Sequence, residues 1–263
     1  MIIDCHTHAF PDHLAARALA SIESGGGDAR HVLDGTVGNL LKSMDQAGID
    51  KSLMLNIATK PDRFAPILKF CSAARCDRII PFPSVHPDDP ELKSHLKTIR
   101  AEGFLGIKLH PYYQDFLFDE ERLFPLYASL VEEGLFLAAH TGYDISFGKI
   151  EKCCPERIIR VLDRFPGLKL MTTHLGAWND YAEVRRWLIG RPIYLEISCA
   201  SQCIPPAEIK DIIEKHGPQY VLFGSDSPWV AQEETLTGLR SLGLSPDILA
   251  MIEGNNARRF FGL

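Results

Sequence analysis

Two histidines and an aspartate near the start of the chain are the first residues whose types and spacing could do chemistry. The segment MIIDCHTHAF places Asp4, His6 and His8 at alternate positions of a β-rich run. Because alternate side chains of a strand lie on one face, all three are expected to point the same way. A metal ion would satisfy them, and so would a hydrogen-bonded network in the core. The His-x-His pair alone does not decide, since ten histidines in 263 residues often produce that spacing by chance.

Polar residues that could bind a metal also end four later β-rich runs. If these runs are parallel strands of one barrel, their carboxyl ends meet at one mouth, where barrel enzymes carry their active sites. Imidazoles together with a carboxylate form a ligand set that suits Zn²⁺. We therefore predict that His6, His8, His140 and Asp226 bind a divalent metal, with Zn²⁺ the expected ion. The polar run ends are His6 and His8 on the first run, Lys108 and His110 on the fourth, His140 on the fifth, His174 on the sixth and Asp226 on the eighth.

Several of these polar residues admit more than one role. Lys108 lies between apolar residues and, if it points inward, could pair with an acid, carry a carbamate that bridges two metals, or form a Schiff base. His110, which a proline follows, is either a substrate-binding or second-metal residue or a hydrogen-bonded packing residue. Glu196 and Ser198 share one face of the seventh run and are candidates to orient a ligand histidine. The spacing leaves these alternatives open.

Short β-rich runs alternate with helical patterns along the chain and must position these residues. The helical stretches, among them 35–48, 119–134 and 206–217, repeat apolar residues every three or four positions and often end in glycine. Strict alternation predicts parallel strands joined by helices. Eight repeats favour a closed (β/α)8 TIM barrel over an open doubly wound sheet, because no glycine-rich phosphate fingerprint follows the first strand. The eight runs are residues 1–8, 51–58, 78–85, 104–111, 135–142, 168–176, 193–199 and 221–228.

Two segments depart from this repeat. The long connection at 9–34 contains the helical pattern PDHLAARALASI and then the polar sequence SGGGD. Together they predict either a lid over the barrel mouth or an ordinary surface loop. The tail from residue 245 predicts a last helix that packs Phe260, Phe261 and Leu263 onto the barrel wall.

Composition narrows the class of protein. The chain has 34 acidic and 28 basic residues, a net charge of −6 and no block rich in lysine or arginine, so we expect no nucleic-acid partner. No apolar run is long enough for a membrane span and no leader pattern precedes the first strand, so we expect a cytoplasmic protein with seven reduced cysteines. We predict one domain over residues 1–263, a small-molecule substrate and, as an open possibility, a homodimer.

The motifs DCHTH, GIKLHP, AAHTG, THLG and LFGSDSPW, in this order, resemble the amidohydrolase superfamily. More narrowly they resemble its amidohydrolase-related branch, which includes amino-carboxymuconate-semialdehyde decarboxylase, resorcylate decarboxylases and a lactonase. The resemblance implies one divalent ion, usually Zn²⁺, held by His6, His8, His140 and Asp226. It also implies a proton-transfer or carbonyl-polarising role for His174. In other branches the fourth-strand lysine carries a carbamate and bridges two metals, whereas this branch usually works with one.

The expected reaction is metal-dependent hydrolysis of a C–N or C–O bond in an amide, cyclic amide or lactone. Asp226 would be both metal ligand and base, and His174 would stabilise charge on the attacked carbonyl. The alternative is a metal-dependent decarboxylase of an aromatic or unsaturated carboxylic acid. A Schiff-base enzyme built on Lys108 and a barrel that binds without turnover are the further alternatives. Aromatic residues that follow strand ends are expected to line the substrate pocket; they are Phe10, Tyr112, Tyr113, Tyr143, Trp178 and Trp229.

Overall fold

Eight short parallel strands form the centre of the molecule. The computed structural model describes residues 1–25 and 30–263, so most of the predicted SGGGD turn lies outside the described residues. Each strand falls inside one of the eight predicted β-rich runs. The strands are β1 (Ile3–Thr7), β2 (Lys51–Leu55), β3 (Ile79–Phe82), β4 (Gly106–Leu109), β5 (Phe136–Ala139), β6 (Lys169–Thr172), β7 (Tyr194–Glu196) and β8 (Val221–Leu222).

The strands close into a barrel. Parallel ladders join β1, β2 and β3 in order, and likewise β4 to β8. At one seam the Cys5 amide donates to the Phe223 carbonyl (2.9 Å). At the other seam the Lys108 amide donates to the Pro83 carbonyl (2.9 Å); this seam has few bonds because Pro81 and Pro83 have no amide hydrogen to donate. The predicted (β/α)8 barrel is confirmed.

Helices follow the strands and cover the outside of the barrel. Helix α2 shows both kinds of cap: the Thr36 side chain accepts from the Asn39 amide at its start, and Gly48 adopts the left-handed conformation (φ 68°) at its end, as the glycine endings predicted. The helices are α1 (Asp12–Glu23), α2 (Val37–Ala47), α3 (Phe64–Ala74), α4 (Leu92–Ala101), α5 (Phe124–Glu133), α6 (Pro155–Arg164), α7 (Tyr181–Trp187), α8 (Pro206–His216), α9 (Gln232–Arg240), α10 (Pro246–Ala250) and α11 (Asn256–Phe261).

The tail closes one end of the barrel. A π-helical turn, Met251–Asn255, joins α10 to α11. Phe261 is buried and makes edge contacts with Phe82 and Phe136, at ring-centroid distances of 5.8 and 5.0 Å. These rings belong to the apolar cluster inside the barrel. The expected C-terminal helix is therefore present; Phe261 belongs to this cluster inside the barrel, and Phe260 and Leu263 pack against it.

Over residues 1–25 and 30–263, no helix combines the length and the apolar character of a membrane-crossing segment.

Candidate metal centre and active-site cavity

The first strand is irregular, and this irregularity separates Asp4 from the two histidines. The register of β1 with β2 shifts after Asp4. The Asp4 carboxylate accepts hydrogen bonds from the Ser225 hydroxyl (2.6 Å) and from the Gln232 amide nitrogen (2.8 Å), and Gln232 begins α9 in the outer layer. Strict alternation predicted that Asp4 shares a face with His6 and His8, and this prediction is wrong. Asp4 instead links β1 to β8 and α9 through its hydrogen bonds.

His6, His8 and Asp226 bring three possible ligand atoms together. The two Nε2 atoms are 3.1 Å apart, and each lies 3.2 Å from Oδ1 of Asp226. Backbone bonds hold this arrangement, since the Asp226 amide donates to the His6 carbonyl (2.8 Å). The three atoms form a nearly equilateral triangle at the carboxyl ends of β1 and β8.

The other ring nitrogens of both histidines are already engaged. Nδ1 of His8 lies 2.7 Å from the Leu55 carbonyl, which can only accept, so this nitrogen carries the hydrogen. Nδ1 of His6 lies 2.8 Å from Oε2 of Glu196. The Glu196 carboxylate in turn accepts from the amide and the hydroxyl of Ser198. Glu196 and Ser198 thus occupy the orienting position that their shared strand face indicated.

This hydrogen bonding leaves acceptors facing one another. In the neutral form of the His8 ring, Nε2 has no hydrogen, and the facing atom is a carboxylate oxygen of Asp226 only 3.2 Å away. Two acceptors at this distance repel unless a cation lies between them. The donor set therefore fits a divalent ion with nitrogen and oxygen ligands.

His140, the fourth predicted ligand, is placed differently. Its Nε2 lies 2.9 Å from the Tyr143 carbonyl, and its Nδ1 lies 3.1 Å from Nε2 of His174. Both of its nitrogens are therefore engaged outside the triangle. His140 is connected to the metal centre indirectly. It contacts His174, and the His174 ring centroid lies 5.2 Å from that of His6. The role of His140 as a ligand stays a prediction.

A second group of possible ligands lies beside the first. The His110 ring stacks on His140 at a centroid distance of 4.1 Å, and its Nε2 lies 3.3 Å from Oδ2 of Asp144. Candidate ligand atoms of His110, His140 and Asp144 all lie within 4.8 Å of one another. Asp144 was missed by the sequence analysis, although its position four residues after His140 in HTGYD could have signalled it.

The electrostatics of the mouth are dominated by burial. Burial lowers the pKa of His6, His110 and His174 well below the usual value, and lowers that of His140 to about 3. These imidazoles are therefore neutral at physiological pH and available as metal ligands or hydrogen-bonding groups.

Lys108 places an amino group beside these histidines. It is fully buried, and its Nζ has no hydrogen-bond partner among the described residues. Burial lowers its pKa to about 8, although the carboxylates of Asp226 and Glu196 oppose that change. A buried ammonium group without a partner is costly, so this position favours an anion in the cavity.

The predicted strand-end residues line one cavity of about 800 Å³. Trp178 and Trp229 line it, as expected. Tyr113 lines it too, as predicted, whereas Tyr112 and Tyr143 do not; the Tyr112 hydroxyl lies within hydrogen-bonding distance of the Gly142 and Ile150 carbonyls. The polar strand-end residues that line the cavity are His6, His8, Lys108, His110, His140, His174 and Asp226.

Two of the central residues have unusual backbone conformations. His174 and Asp226 have φ values of 56° and 64°, in the left-handed region that side chains other than glycine rarely adopt. Such residues cluster at functional sites, where the surrounding structure enforces them. In Asp226 this conformation accompanies the turn that places the carboxylate between His6 and His8.

Comparisons with known proteins show the family and the fold of the chain. The family model described as amidohydrolase matches residues 3–263, and no curated protein sequence matches the chain. The structure resembles 5-carboxyvanillate decarboxylase LigW from Sphingomonas paucimobilis (TM-score 0.71, 16% identity, covering 100% of this chain and 99% of that one). It also resembles a probable 2-pyrone-4,6-dicarboxylic acid hydrolase from Acinetobacter baumannii (TM-score 0.71, 14% identity, covering 100% of this chain and 99% of that one). A third similar structure is a manganese-bound dihydroxybenzoic acid decarboxylase from Polaromonas (TM-score 0.72, 15% identity, covering 100% of this chain and 97% of that one). At these identities the likeness concerns the fold.

Proposed function

The chain belongs to the amidohydrolase family and is an enzyme of that family, and from this premise we propose that it is a metal-dependent hydrolase of an amide, cyclic amide or lactone. The observation that carries the proposal is the triangle of Nε2 of His6, Nε2 of His8 and Oδ1 of Asp226, with edges of 3.1 to 3.2 Å. These three residues would hold the ion, and His140 is the proposed fourth ligand. A divalent ion at this centre would lower the pKa of a water molecule from 15.7 toward about 7 and so supply a nucleophile at neutral pH.

Asp226 is the proposed general base. Its Oδ1 faces the two histidines, whereas the bond that its Oδ2 accepts within residues 1–25 and 30–263 is a weak one, from the Cys199 thiol at 3.5 Å. A second carboxylate oxygen with so weak a partner can take a proton from the attacking water and deliver it to the leaving nitrogen or oxygen.

His174 is the proposed group that polarises the carbonyl. It lines the cavity, its Nδ1 lies 3.0 Å from the Ser198 hydroxyl, and its Nε2 lies 3.1 Å from Nδ1 of His140. A ring N–H of His174 is the proposed donor to the developing negative charge on the substrate.

A decarboxylase is the second candidate, and Lys108 is the observation that favours it. A buried ammonium without a partner in the described residues would bind a substrate carboxylate or phenolate. Two of the solved structures of similar fold are named as decarboxylases of hydroxylated aromatic acids. On this reaction His174 would supply the proton to carbon, and no water would be added to the product.

Metal content and isotope incorporation test both candidates. Purified protein is stripped with a chelator and reconstituted with Zn²⁺ or Mn²⁺, then assayed with lactones, amides and aromatic carboxylic acids. Zn²⁺ is the ion we propose from two imidazoles and a carboxylate, and Mn²⁺ is the ion of one similar structure. Hydrolysis in H₂¹⁸O places one ¹⁸O in the product, whereas decarboxylation in D₂O releases CO₂ and places deuterium on carbon. A protein that binds neither ion would refute the proposal.

A further inference from the structure

The cavity extends well beyond the metal centre. A space of about 150 Å³ holds a single benzene ring, whereas this cavity measures about 800 Å³, in the range of sites for drug-sized ligands. The cavity is continuous from His6 and His8 to two helices outside the strand ends, α1 and α3. The metal centre therefore fills only part of the available volume.

The outer part of the cavity, here called the vestibule, is built from apolar side chains. On α1, Leu14, Ala18 and Ile22 follow a spacing of four residues and form one stripe along the helix. This stripe is separate from the buried face of α1, which contains Ala15 and Leu19. The vestibule is lined by Phe10, Leu14, Ala18, Ile22, Ile67 and Phe70.

Helix α3 supplies the facing wall. Its buried face consists of Phe64 and Cys71, whereas Ile67 and Phe70 are half-buried and line the cavity. Arg63, just before α3, also lines the cavity, and its guanidinium pairs with Asp62 (3.2 Å). Both helices therefore use one face for the core and present a second apolar face to the same space.

We propose that the vestibule binds an apolar acyl or alkyl chain of the substrate, while the reacting group of the same molecule lies at the metal centre. This inference rests on the proposed function and names its substrate class: an amphipathic amide or lactone with a chain of about six or more carbons. Large apolar side chains that remain half-exposed toward a cavity favour an apolar occupant. Continuity with the metal centre favours a part of the substrate as that occupant.

A chain-length series of metal-binding probes tests the proposal. Straight-chain hydroxamic acids from acetohydroxamate to octanohydroxamate are titrated into Zn²⁺-loaded protein by calorimetry. The hydroxamate head group binds the metal, and each methylene that enters the vestibule improves the affinity about three- to fourfold. If acetohydroxamate binds and the affinity does not change with chain length, the vestibule proposal is wrong and the metal centre stands. If no member binds, the metal-dependent function fails, and this inference fails with it.

Two variants locate the chain in the vestibule. Ala18→Trp fills the space between α1 and α3 and is expected to remove the dependence on chain length while acetohydroxamate binds as before. Ala16→Trp, on the exposed face of the same helix, is the matched control and is expected to keep the full dependence. Leu14→Gln makes the wall polar without filling it and is expected to reduce the gain per methylene. Equal dependence in wild type, Ala18→Trp and Leu14→Gln would overturn the assignment.

Discussion

Gly224 provides a sharp test of how Glu196 supports the metal centre. A Cβ atom at Gly224 would lie 2.2 Å from Oε1, 2.5 Å from Cδ and 2.6 Å from Cγ of Glu196. The backbone of Gly224 is not in the left-handed region, so alanine is compatible with its conformation. Any effect of Gly224→Ala must therefore come from displacement of the Glu196 side chain.

The displacement can be estimated from these distances. Ordinary contact with a Cβ begins at 3.4 Å, so the Glu196 carboxylate must retreat by about 1 Å in a close-packed interior. The 2.8 Å bond from Nδ1 of His6 to Oε2 would then exceed hydrogen-bonding distance. Loss of an orienting partner of a metal-bound histidine typically lowers metal affinity about 10- to 100-fold. Overpacking is expected to cost about 1 to 3 kcal/mol of folding free energy in addition.

The assay is Zn²⁺ affinity, measured by competition with a chromogenic chelator, together with urea unfolding of the metal-free protein. Gly238→Ala is the matched control, because a Cβ at this position in α9 has no atom within 4 Å. The control is expected to bind Zn²⁺ like wild type and to be slightly more stable, since alanine is the better helix former. A folded Gly224→Ala protein with wild-type Zn²⁺ affinity would refute the reasoning that Glu196 orients His6.

Three further predictions concern single side chains. Asp226→Asn removes the proposed base and is expected to lower kcat about 10²- to 10⁴-fold in metal-loaded protein; an equal kcat in both proteins would exclude this role. Lys108→Met removes a fully buried ammonium whose pKa is lowered from 10.5 to about 8. The unfolded chain binds this proton more tightly than the folded chain, so the wild-type protein gains stability as pH rises from 8 to 10.5. The variant lacks this gain and is expected to be more stable than wild type at pH 7 by about 3 kcal/mol. Denaturation of both proteins at pH 7 and pH 10 measures the difference. Thr36→Ala removes the side-chain acceptor for the Asn39 amide (3.1 Å) and is expected to cost about 1 kcal/mol in urea unfolding, with wild-type stability contradicting the assigned cap.

The fold was predictable because each strand leaves a local signal. Runs such as LFLAAHTG combine apolar residues with a polar end, and the helices between them repeat apolar residues at helical spacing. The order of the strands followed from their strict alternation with helices, which favours parallel neighbours. The same reasoning placed Lys108, His140 and Asp226 at one mouth, and the structure brings them to one cavity.

Local geometry was not predictable, and the errors have identifiable causes. The alternation rule put Asp4 beside His6, but it assumes a regular strand, and the register shift in β1 breaks that assumption. In the loop after β4, no periodicity indicates which side chains face the cavity; both Tyr112 and Tyr113 were predicted to line it, and Tyr113 does whereas Tyr112 does not. The left-handed conformation of Asp226 was not predictable either, because aspartate tolerates this region better than most residues but usually lies outside it.

The hydrogen bonds around the metal centre also explain why its ligands can be arranged before an ion arrives. Nδ1 of His8 is hydrogen-bonded to the Leu55 carbonyl of β2. Nδ1 of His6 is hydrogen-bonded to the Glu196 side chain of β7, which also accepts from the Ser198 hydroxyl. The partners come from strands of a closed barrel, so the rings cannot turn away without breaking bonds to rigid elements. An ion therefore meets ligand atoms already 3.1 to 3.2 Å apart, and little reorganisation opposes its binding. The repulsion among these acceptors in the metal-free protein acts in the same direction, because only a cation relieves it.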